Sequence, residues 1–224
     1  MLFLPLIFNK RRDMESDLLH TEEMWLEWID VLADQDYVVI DDFISPELYR
    51  TIMHFFQAVE ADDRLKKAGV GRSGELQIKE AIRGDFIYWL DHEKDRDLLP
   101  FFELMDDLNQ KLRRYCYLNL SDSEFHIAKY PAGSHYSKHL DKFQDRSNRQ
   151  ITVLIYLNEN WKPGDGGELK IYREEKNVLV EPIARRLLLF KSASVEHEVL
   201  KTRIPRYSLT GWLLRQPSLV GSLV

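Results

Sequence analysis

The sequence predicts a single domain in which helices fill the first half and an antiparallel β-core fills the second. Apolar residues recur at helical spacing in the first half, and short apolar runs divided by turns follow in the second. No internal repeat, low-complexity tract or linker divides the 224 residues. We therefore expect one domain over residues 1–224, with a helical part at about 15–118 and a β-core at about 124–215.

Capping residues mark the start of two helices. Thr21 precedes two glutamates and a run of apolar residues at helical spacing, which is typical of a helix N-terminus. Ser45 and Pro46 mark a second start, and we expect that helix to run to Gly69, a candidate C-terminal stop. A third amphipathic helix is expected at residues 98–112. Between the second and third helices, residues 66–74 hold three glycines and three cations, which indicates a mobile loop or a loop that closes over a substrate.

Short apolar runs predict the strands. Residues 37–40 read as a buried strand between the first two helices. The later runs lie at residues 125–130, 151–157, 168–172, 186–190 and 207–214. Residues 163–167, which hold one proline and three glycines, are expected to form a turn that joins two adjacent strands. This spacing favours an antiparallel sandwich or barrel.

Composition and charge exclude several classes of protein. The net charge of −6 gives no support to general nucleic-acid binding, which normally requires a basic surface. Cys116 is the one cysteine, so an intrachain disulfide cannot form. The apolar residues 1–8 are too short to span a bilayer, and the basic residues follow them, in the reverse of the order in a secretory signal. We expect a cytoplasmic protein with no membrane segment.

Two histidines and one aspartate form the most informative pattern. His139 and Asp141 are two residues apart, so in a strand both side chains point to one face. His197 follows the apolar run at 186–190 and supplies a third candidate ligand. Two imidazoles and one carboxylate on one side of an ion form the facial triad of non-heme Fe(II) oxygenases. The same residues with a bound water also suit zinc and hydrolysis.

An arginine after the second histidine favours the iron alternative. Arg206 lies nine residues after His197, at the start of an expected strand, where its guanidinium can pair with a carboxylate through two hydrogen bonds. Arg203 competes for the same role, and either residue can instead be an ordinary surface arginine.

Residues 125–215 resemble the catalytic domain of the prolyl-hydroxylase branch of the 2-oxoglutarate- and Fe(II)-dependent dioxygenases, especially the oxygen-sensing prolyl hydroxylases of animals and their bacterial relatives. The resemblance covers about two thirds of the chain and implies a double-stranded β-helix (jelly roll) with N-terminal helices packed on one sheet. The shared pieces are Tyr130 with Pro131, Tyr136, His139 with Asp141, residues 155–158 with Trp161, residues 166–169, Glu181 with Pro182, Arg186 with Leu187, residues 197–199, Arg206 with Tyr207, and upstream residues 82–85 with Trp89.

The resemblance also implies roles for individual residues. His139, Asp141 and His197 would bind iron. Arg206 would pair with the distal carboxylate of 2-oxoglutarate, and the Tyr156 hydroxyl would be a second donor to it. The remaining pocket residues that we expect are Tyr130 and Thr210 beside 2-oxoglutarate, Tyr136 near the iron, and Leu154 and Leu169 as apolar walls.

Two loops are implied to touch a protein substrate. One precedes Arg83 and contains Arg72, and the other follows Asp141 and extends to Arg149. By analogy, we expect Asp85 and Arg149 to form an ion pair that holds the second loop against the body of the domain.

The implied reaction couples decarboxylation of 2-oxoglutarate to hydroxylation of a prolyl residue, with release of succinate and CO2. Its requirements are Fe(II), 2-oxoglutarate, O2 and ascorbate as reductant. The expected partner is a protein with a target proline, such as a translation factor or a ribosomal protein. Three alternatives stay open: the same chemistry on another side chain or a small molecule, a non-catalytic module that senses 2-oxoglutarate, and a zinc hydrolase or sugar-isomerase β-barrel.

Overall fold

Three helices and two antiparallel sheets make up residues 19–69, 82–141 and 148–215, which this computed structural model describes. The helices are α1 (Glu22–Gln35), α2 (Pro46–Ala61) and α3 (Leu99–Tyr115), and a short 3-10 helix (Arg96–Leu98) leads into α3. The strands are β1 (Tyr37–Ile40), β2 (Lys66–Lys67), β3 (Phe86–Trp89), β4 (Leu120–Tyr130), β5 (Tyr136–His139), β6 (Arg149–Tyr156), β7 (Leu169–Ile171), β8 (Val178–Val180), β9 (Leu187–Lys191), β10 (His197–Val199) and β11 (Arg206–Arg215).

The helix starts are the predicted ones. The Thr21 hydroxyl accepts a hydrogen bond from the Met24 N–H at 3.3 Å, and the Ser45 hydroxyl accepts one from the Leu48 N–H at 3.1 Å. The prediction that α2 runs to Gly69 is wrong, because the helix ends at Ala61. Asp63 then adopts a positive φ of 53°, a conformation that aspartate tolerates, and the chain turns into β2.

The strands form a larger and a smaller sheet. The larger has the order β1-β9-β6-β11-β4-β3-β2, and the smaller has the order β5-β10-β7-β8. Alternate residues of the central strands face the two sides of the larger sheet. On one side, residues such as Ile127, Val153 and Leu209 pack against all three helices. On the other side, Leu154 and Tyr156 pack against residues of the smaller sheet. This layering confirms the predicted jelly roll with helices on one sheet.

The turn at residues 163–167 lies where it was predicted, but the two strands that it joins belong to different sheets. It connects β6 of the larger sheet to β7 of the smaller one, so the expectation that it joins adjacent strands is wrong. Gly166 and Gly167 have φ values of 74° and 78°, which residues with a Cβ adopt only with strain. A Cβ on Gly166 would also lie 2.3 Å from the Lys201 carbonyl oxygen. The two glycines therefore let this crossover approach the start of β11.

In the described part of the chain, no helix is both long enough and apolar enough to cross a membrane.

Candidate active site

A cavity of about 160 Å³ opens between the two sheets. Residues of β3, β4, β6 and β11 line one side of it, and residues of β5, β7 and β10 line the other. Ten of the residues that we predicted for the site line this cavity: Tyr130, Tyr136, His139, Asp141, Arg149, Leu154, Leu169, His197, Arg206 and Thr210.

The three predicted metal ligands lie together at this cavity. His139 ends β5, His197 begins β10, and the two residues are direct partners in the sheet register. Asp141 follows β5, and its Oδ1 lies 3.4 Å from His139 Nε2 and 3.9 Å from His197 Nε2. One ligand atom from each residue lies within 4.8 Å of the other two. Among the described residues, no other group of three or more histidine, cysteine or acidic side chains has this geometry.

Backbone hydrogen bonds orient both imidazoles. His139 Nδ1 lies 2.7 Å from the Ser137 carbonyl oxygen, and His197 Nδ1 lies 3.1 Å from that of Val195. Because a carbonyl oxygen only accepts, each Nδ1 carries the proton, which in a neutral ring leaves the Nε2 lone pair facing Asp141. Burial lowers the pKa of His197, which favours the neutral ring that a metal requires.

A chain of two buried hydroxyls ends on the carboxylate of Asp141. Thr152 Oγ1 lies 2.8 Å from Asp141 Oδ2 and 2.8 Å from Ser192 Oγ. Burial opposes ionisation of Asp141, but the positive charge that the facing His197 and His139 rings carry in their protonated form, with hydrogen bonds from His139 and Thr152, outweighs it and holds the pKa of that carboxyl below its usual range. With both rings in the neutral form that a metal binds, the site offers two nitrogen lone pairs and one carboxylate oxygen, a set that fits Fe(II) with coordination positions left open.

A buried cation lies at the other end of the cavity, and no carboxylate of the described residues pairs with it. Arg206 is 2% exposed, and its Nε donates to the Gly167 carbonyl oxygen at 2.8 Å. Its Nη1 lies 3.4 Å from Ser208 Oγ, and its Nη2 has no hydrogen-bond partner among the described residues. Since a buried charge normally has a counter-charge, this arrangement fits a ligand carboxylate. Arg203, the rival candidate, is exposed.

Two tyrosines and a threonine complete this end. The Arg206 guanidinium lies 5.0 Å from the centre of the Tyr130 ring and 5.2 Å from that of Tyr156. The Tyr156 hydroxyl is buried and has no partner among the described residues, and burial raises its pKa to about 12, so it stays protonated and able to donate. Thr210 Oγ1 lies 3.3 Å from the Ser208 hydroxyl, which links it to the same group.

A stack of side chains connects the upstream segment to the metal ligands. The Tyr136 and His139 rings stack with their centroids 3.8 Å apart, and the Arg83 guanidinium lies 4.5 Å from the centre of the Tyr136 ring. Arg83 also binds the fully buried Asp85 through two hydrogen bonds of 2.7 and 2.5 Å. We predicted that Tyr136 lies near the iron and that Asp85 holds a loop. We did not predict that Arg83 binds Asp85 and lies against the Tyr136 ring.

The predicted ion pair between Asp85 and Arg149 is wrong. Asp85 is bound by Arg83, two residues away, and Arg149 forms an ion pair with Glu124 at 2.7 Å. Arg149 also lies over the Trp212 ring, with its Cζ 3.4 Å from the ring centre. Asp85 and Arg149 are therefore each paired with a different partner. Arg72 and residues 142–147 lie outside the described residues.

Residues on the inner face of the larger sheet were missed by sequence reasoning. His126, Trp89 and Trp212 all line the cavity, and Thr152 supports a predicted ligand. The available signal was strand alternation: His126 is four residues before Tyr130, and Thr152 is four residues before Tyr156, so each pair shares a face.

Comparisons with known proteins agree with this geometry. A family model for the 2OG-Fe(II) oxygenase superfamily matches residues 125–214. The chain is similar to a prolyl-4-hydroxylase structure from Pseudomonas putida, with 34% identity, a TM-score of 0.79 and coverage of 86% of this chain and 100% of that one. A prolyl hydroxylase from Trichoplax adhaerens, in complex with a peptide fragment of the hypoxia inducible factor oxygen degradation domain, matches at 25% identity and a TM-score of 0.79, covering 92% of this chain and 93% of the other. Human prolyl hydroxylase EGLN3 is 29% identical over 207 residues, which span 87% of this chain and 85% of the relative.

Proposed function

This chain belongs to the 2-oxoglutarate- and Fe(II)-dependent oxygenases, and from that premise we propose that it hydroxylates a prolyl residue in a protein substrate. Enzymes of this family use Fe(II), 2-oxoglutarate and O2. One observation carries the proposal: a single cavity has an iron-compatible triad on one side and, at its other end, a buried arginine that has no carboxylate partner among the described residues. The prolyl residue is proposed because three of the similar proteins are prolyl hydroxylases.

We assign the residues as follows. His139, Asp141 and His197 would hold Fe(II), which supplies O2 activation coupled to conversion of 2-oxoglutarate to succinate and CO2. The Arg206 guanidinium would bind the distal carboxylate of 2-oxoglutarate, because its Nη2 is buried and has no other partner among the described residues. Tyr156 would donate its hydroxyl proton to the same carboxylate.

The remaining residues shape and dry the pocket. Tyr130 and Thr210 would flank 2-oxoglutarate, and Tyr136 would hold the His139 ring by stacking at 3.8 Å. Leu154 and Leu169 line the cavity and also belong to the apolar layer between the sheets, so they would keep water from the reacting atoms. Arg72 and Arg149 are proposed on the substrate side, and the buried Asp85 would act there only through its ion pair with Arg83.

The identity of the protein substrate is a separate proposal. We propose a cytoplasmic protein, such as a translation factor or a ribosomal protein, and ascorbate as the reductant that keeps iron in the Fe(II) state. Mass spectrometry of the proteome, with and without the gene, would identify the target as a peptide that carries one extra oxygen on proline only when the gene is present.

Succinate formation in vitro tests the chemistry. We expect purified protein with Fe(II), 2-oxoglutarate, O2 and a library of peptides with one central proline to form succinate and hydroxyproline. His139→Ala abolishes both products if the metal assignment is correct. Arg206→Lys raises the KM for 2-oxoglutarate by about 10-fold or more, because a hydrogen bond to a charged group contributes about 1.5–3 kcal/mol. The exposed Arg203→Lys is the matched control and leaves that KM unchanged.

The other outcomes separate the alternatives. Tight 2-oxoglutarate binding without turnover of any substrate would favour a sensor module. Succinate formation with oxygen inserted at a residue other than proline would keep the chemistry and refute the prolyl assignment.

A further inference from the structure

The crossover segment, residues 157–168, runs from the end of β6 in the larger sheet to the start of β7 in the smaller one. It contains Asn158, Trp161 and two adjacent glycines, none of which lines the cavity or takes part in the proposed reaction. The hydrogen bonds of this segment nevertheless converge on Arg206 and the residue after it. This convergence points to a role for the segment at the co-substrate end of the cavity.

The start of β11 extends beyond the last residue of β6. Arg206 is the register partner of Tyr130 on β4, so its backbone has a neighbouring strand on that side. On the other side, the register with β6 ends at the pair formed by Ser208 and Tyr156. Because Arg206 lies two residues before Ser208, the regular pairing with β6 does not reach it.

The Asn158 side chain continues the pairing where β6 ends. Its Oδ1 accepts a hydrogen bond from the Tyr207 N–H at 2.7 Å, and its Nδ2 donates to the carbonyl oxygens of Tyr207 at 3.0 Å and of Pro182 at 2.8 Å. The Asn158 backbone has already turned away and forms a bridge with Ile183. The side-chain amide thus takes the place of a strand residue. Because the Tyr207 N–H belongs to the peptide that joins it to Arg206, this contact fixes the backbone of Arg206.

The far end of the crossover segment holds the Arg206 side chain. The Trp161 indole donates to the Gly166 carbonyl oxygen at 2.8 Å, and Arg206 Nε donates to that of Gly167 at 2.8 Å. The Gly166 carbonyl and the Gly167 N–H belong to one planar peptide, so the indole helps to set where Gly167 lies. The Nε–H of Arg206 is therefore used, whereas its buried Nη2 has no partner among the described residues.

Two anchors restrict a side chain that is otherwise long and rotates about several bonds. A ligand that has to fix such a side chain loses affinity, because the lost rotamer freedom opposes binding. Anchors on the backbone and on Nε restrict Arg206 before a ligand arrives. They also hold the guanidinium at one distance from the metal ligands, and a fixed distance favours a diacid of one length.

We propose that the crossover segment is a positioning device for the co-substrate: Asn158 fixes the backbone beside Arg206, and the turn held by Trp161 fixes the guanidinium. The segment thereby selects the chain length of the diacid that spans from Arg206 to the metal. This inference rests on the proposed function and deepens it. Asn158 and Trp161 are positioning residues, since they act only through Arg206.

The affinities for two diacids test the inference. Calorimetry on Co(II)-loaded protein without O2 compares 2-oxoglutarate with 2-oxoadipate, which is one methylene longer, and we expect the wild type to prefer 2-oxoglutarate. Asn158→Ala and Trp161→Phe should each weaken 2-oxoglutarate binding about 3- to 10-fold, the equivalent of one neutral hydrogen bond. Binding of 2-oxoadipate should change less than about twofold, because a loosened guanidinium adapts to the longer chain. Asn160→Ala, at an exposed asparagine of the same segment, is the matched control and should change neither affinity.

A general loss of structure gives a different pattern. It would lower the affinity for Co(II) and weaken both diacids by the same factor. We expect the affinity for Co(II) to change less than about twofold, because all three metal ligands lie outside the crossover segment. Trp161→Phe keeps an aromatic ring and serves as the test if Asn158→Ala does not fold. Equal weakening of the two diacids would overturn the inference, as would an unchanged affinity for 2-oxoglutarate in both variants.

The Nε proton of Arg206 reports the anchoring without any ligand. In nitrogen-15 NMR of the ligand-free protein, its hydrogen bond to Gly167 should slow its exchange with water, and loss of the signal in Arg206→Lys identifies it. Asn158→Ala and Trp161→Phe should each speed this exchange about 3- to 10-fold, whereas Asn160→Ala should not. Unchanged exchange in both variants would contradict the positioning role.

Failure of the proposed function is distinguishable from failure of the inference. If the wild type binds neither diacid, the proposed function fails, and the exchange of the Arg206 Nε proton still decides whether the segment positions this residue. Faster exchange in both variants then supports the positioning role, and unchanged exchange overturns it. A wild type that binds the two diacids equally well overturns the selection of chain length.

Discussion

The Thr152 hydroxyl offers the sharpest test of how the fold prepares the metal site. A carboxylate only accepts, so Thr152 donates its single proton to Asp141 at 2.8 Å. The Ser192 hydroxyl, 2.8 Å away, must then donate to Thr152. The two hydroxyls form a directed chain that ends on the carboxylate. Thr152 and Ser192 are both fully buried, so water does not replace a missing donor.

The expected loss of metal affinity follows from the negative charge on Asp141, which accepts the hydrogen bond. A hydrogen bond to a charged group contributes about 1.5–3 kcal/mol, and 1.4 kcal/mol is a factor of ten in a binding constant. Groups that orient metal ligands typically affect metal affinity about 10- to 100-fold. Thr152→Val removes the hydroxyl with almost no change in side-chain shape, and we therefore expect the dissociation constant for the metal to rise about 10- to 100-fold.

Anaerobic titration with Co(II), followed by its visible absorption, measures this constant without catalysis. Thr152→Ser keeps the donor and should restore affinity to within about threefold. Ser192→Ala acts through Thr152 and should have a smaller effect, about 2- to 10-fold, as for one neutral hydrogen bond. A Thr152→Val protein that unfolds like the wild type without metal, yet binds Co(II) equally well, would refute the reasoning.

Three further predictions concern the surrounding groups. Gly167→Ala should lower the free energy of unfolding in urea by about 1–2 kcal/mol, because φ is 78° there, and weaken 2-oxoglutarate binding in calorimetry, because the new Cβ would lie 3.0 Å from Arg206 Cδ. The pKa of His126 is about 3 in the folded state and about 6.5 when unfolded, so the unfolded chain gains a proton first as pH falls. Metal-free wild type should thus lose about 1.4 kcal/mol of stability per pH unit through this group between about pH 6 and 4, and His126→Phe should remove that part of the slope. Asp85→Ala should destabilise the fold by about 3–5 kcal/mol, because it leaves the guanidinium of Arg83 buried without its partner, and an additional Arg83→Ala change should recover part of the loss.

Features that depend on neighbouring residues were predictable from the sequence. Thr21 and Ser45 cap the helices as predicted, because a cap and the backbone N–H that donates to it are three residues apart. The end of α2 was not predictable, since Gly69 and Asp63 are both residues that can stop a helix and only the pairing of β2 with β3 favours the earlier stop. Long-range strand pairing decides such cases.

The site residues show the same contrast: short-range spacing was predictable from the sequence, and long-range strand pairing was not. His139 and Asp141 lie together at the cavity, as their two-residue spacing predicted, although β5 ends at His139 and Asp141 follows the strand. His197 becomes the register partner of His139 only through β10, a strand of three residues, which is too short to show a pattern of its own. Asp85 pairs with Arg83, two residues away, and not with the distant Arg149. A pair between near neighbours closes a shorter loop and so costs less conformational entropy.

One strand sets the distance between the two ends of the proposed site. β11 holds Arg206 at its start and Trp212 near its end, and it is paired with β4 along its whole length and with β6 over most of it. At Gly211 the approach is so close that an added Cβ would lie 2.1 Å from Phe125 Cδ1 and 2.4 Å from the Glu124 carbonyl oxygen. A central strand held on both sides does not slide, so Arg206 and Trp212 stay at a fixed separation at the two ends of the cavity, with the triad beside them. Under the proposed function, changes in the loops around the cavity would therefore alter which protein is bound without altering where its reacting carbon would lie relative to the metal.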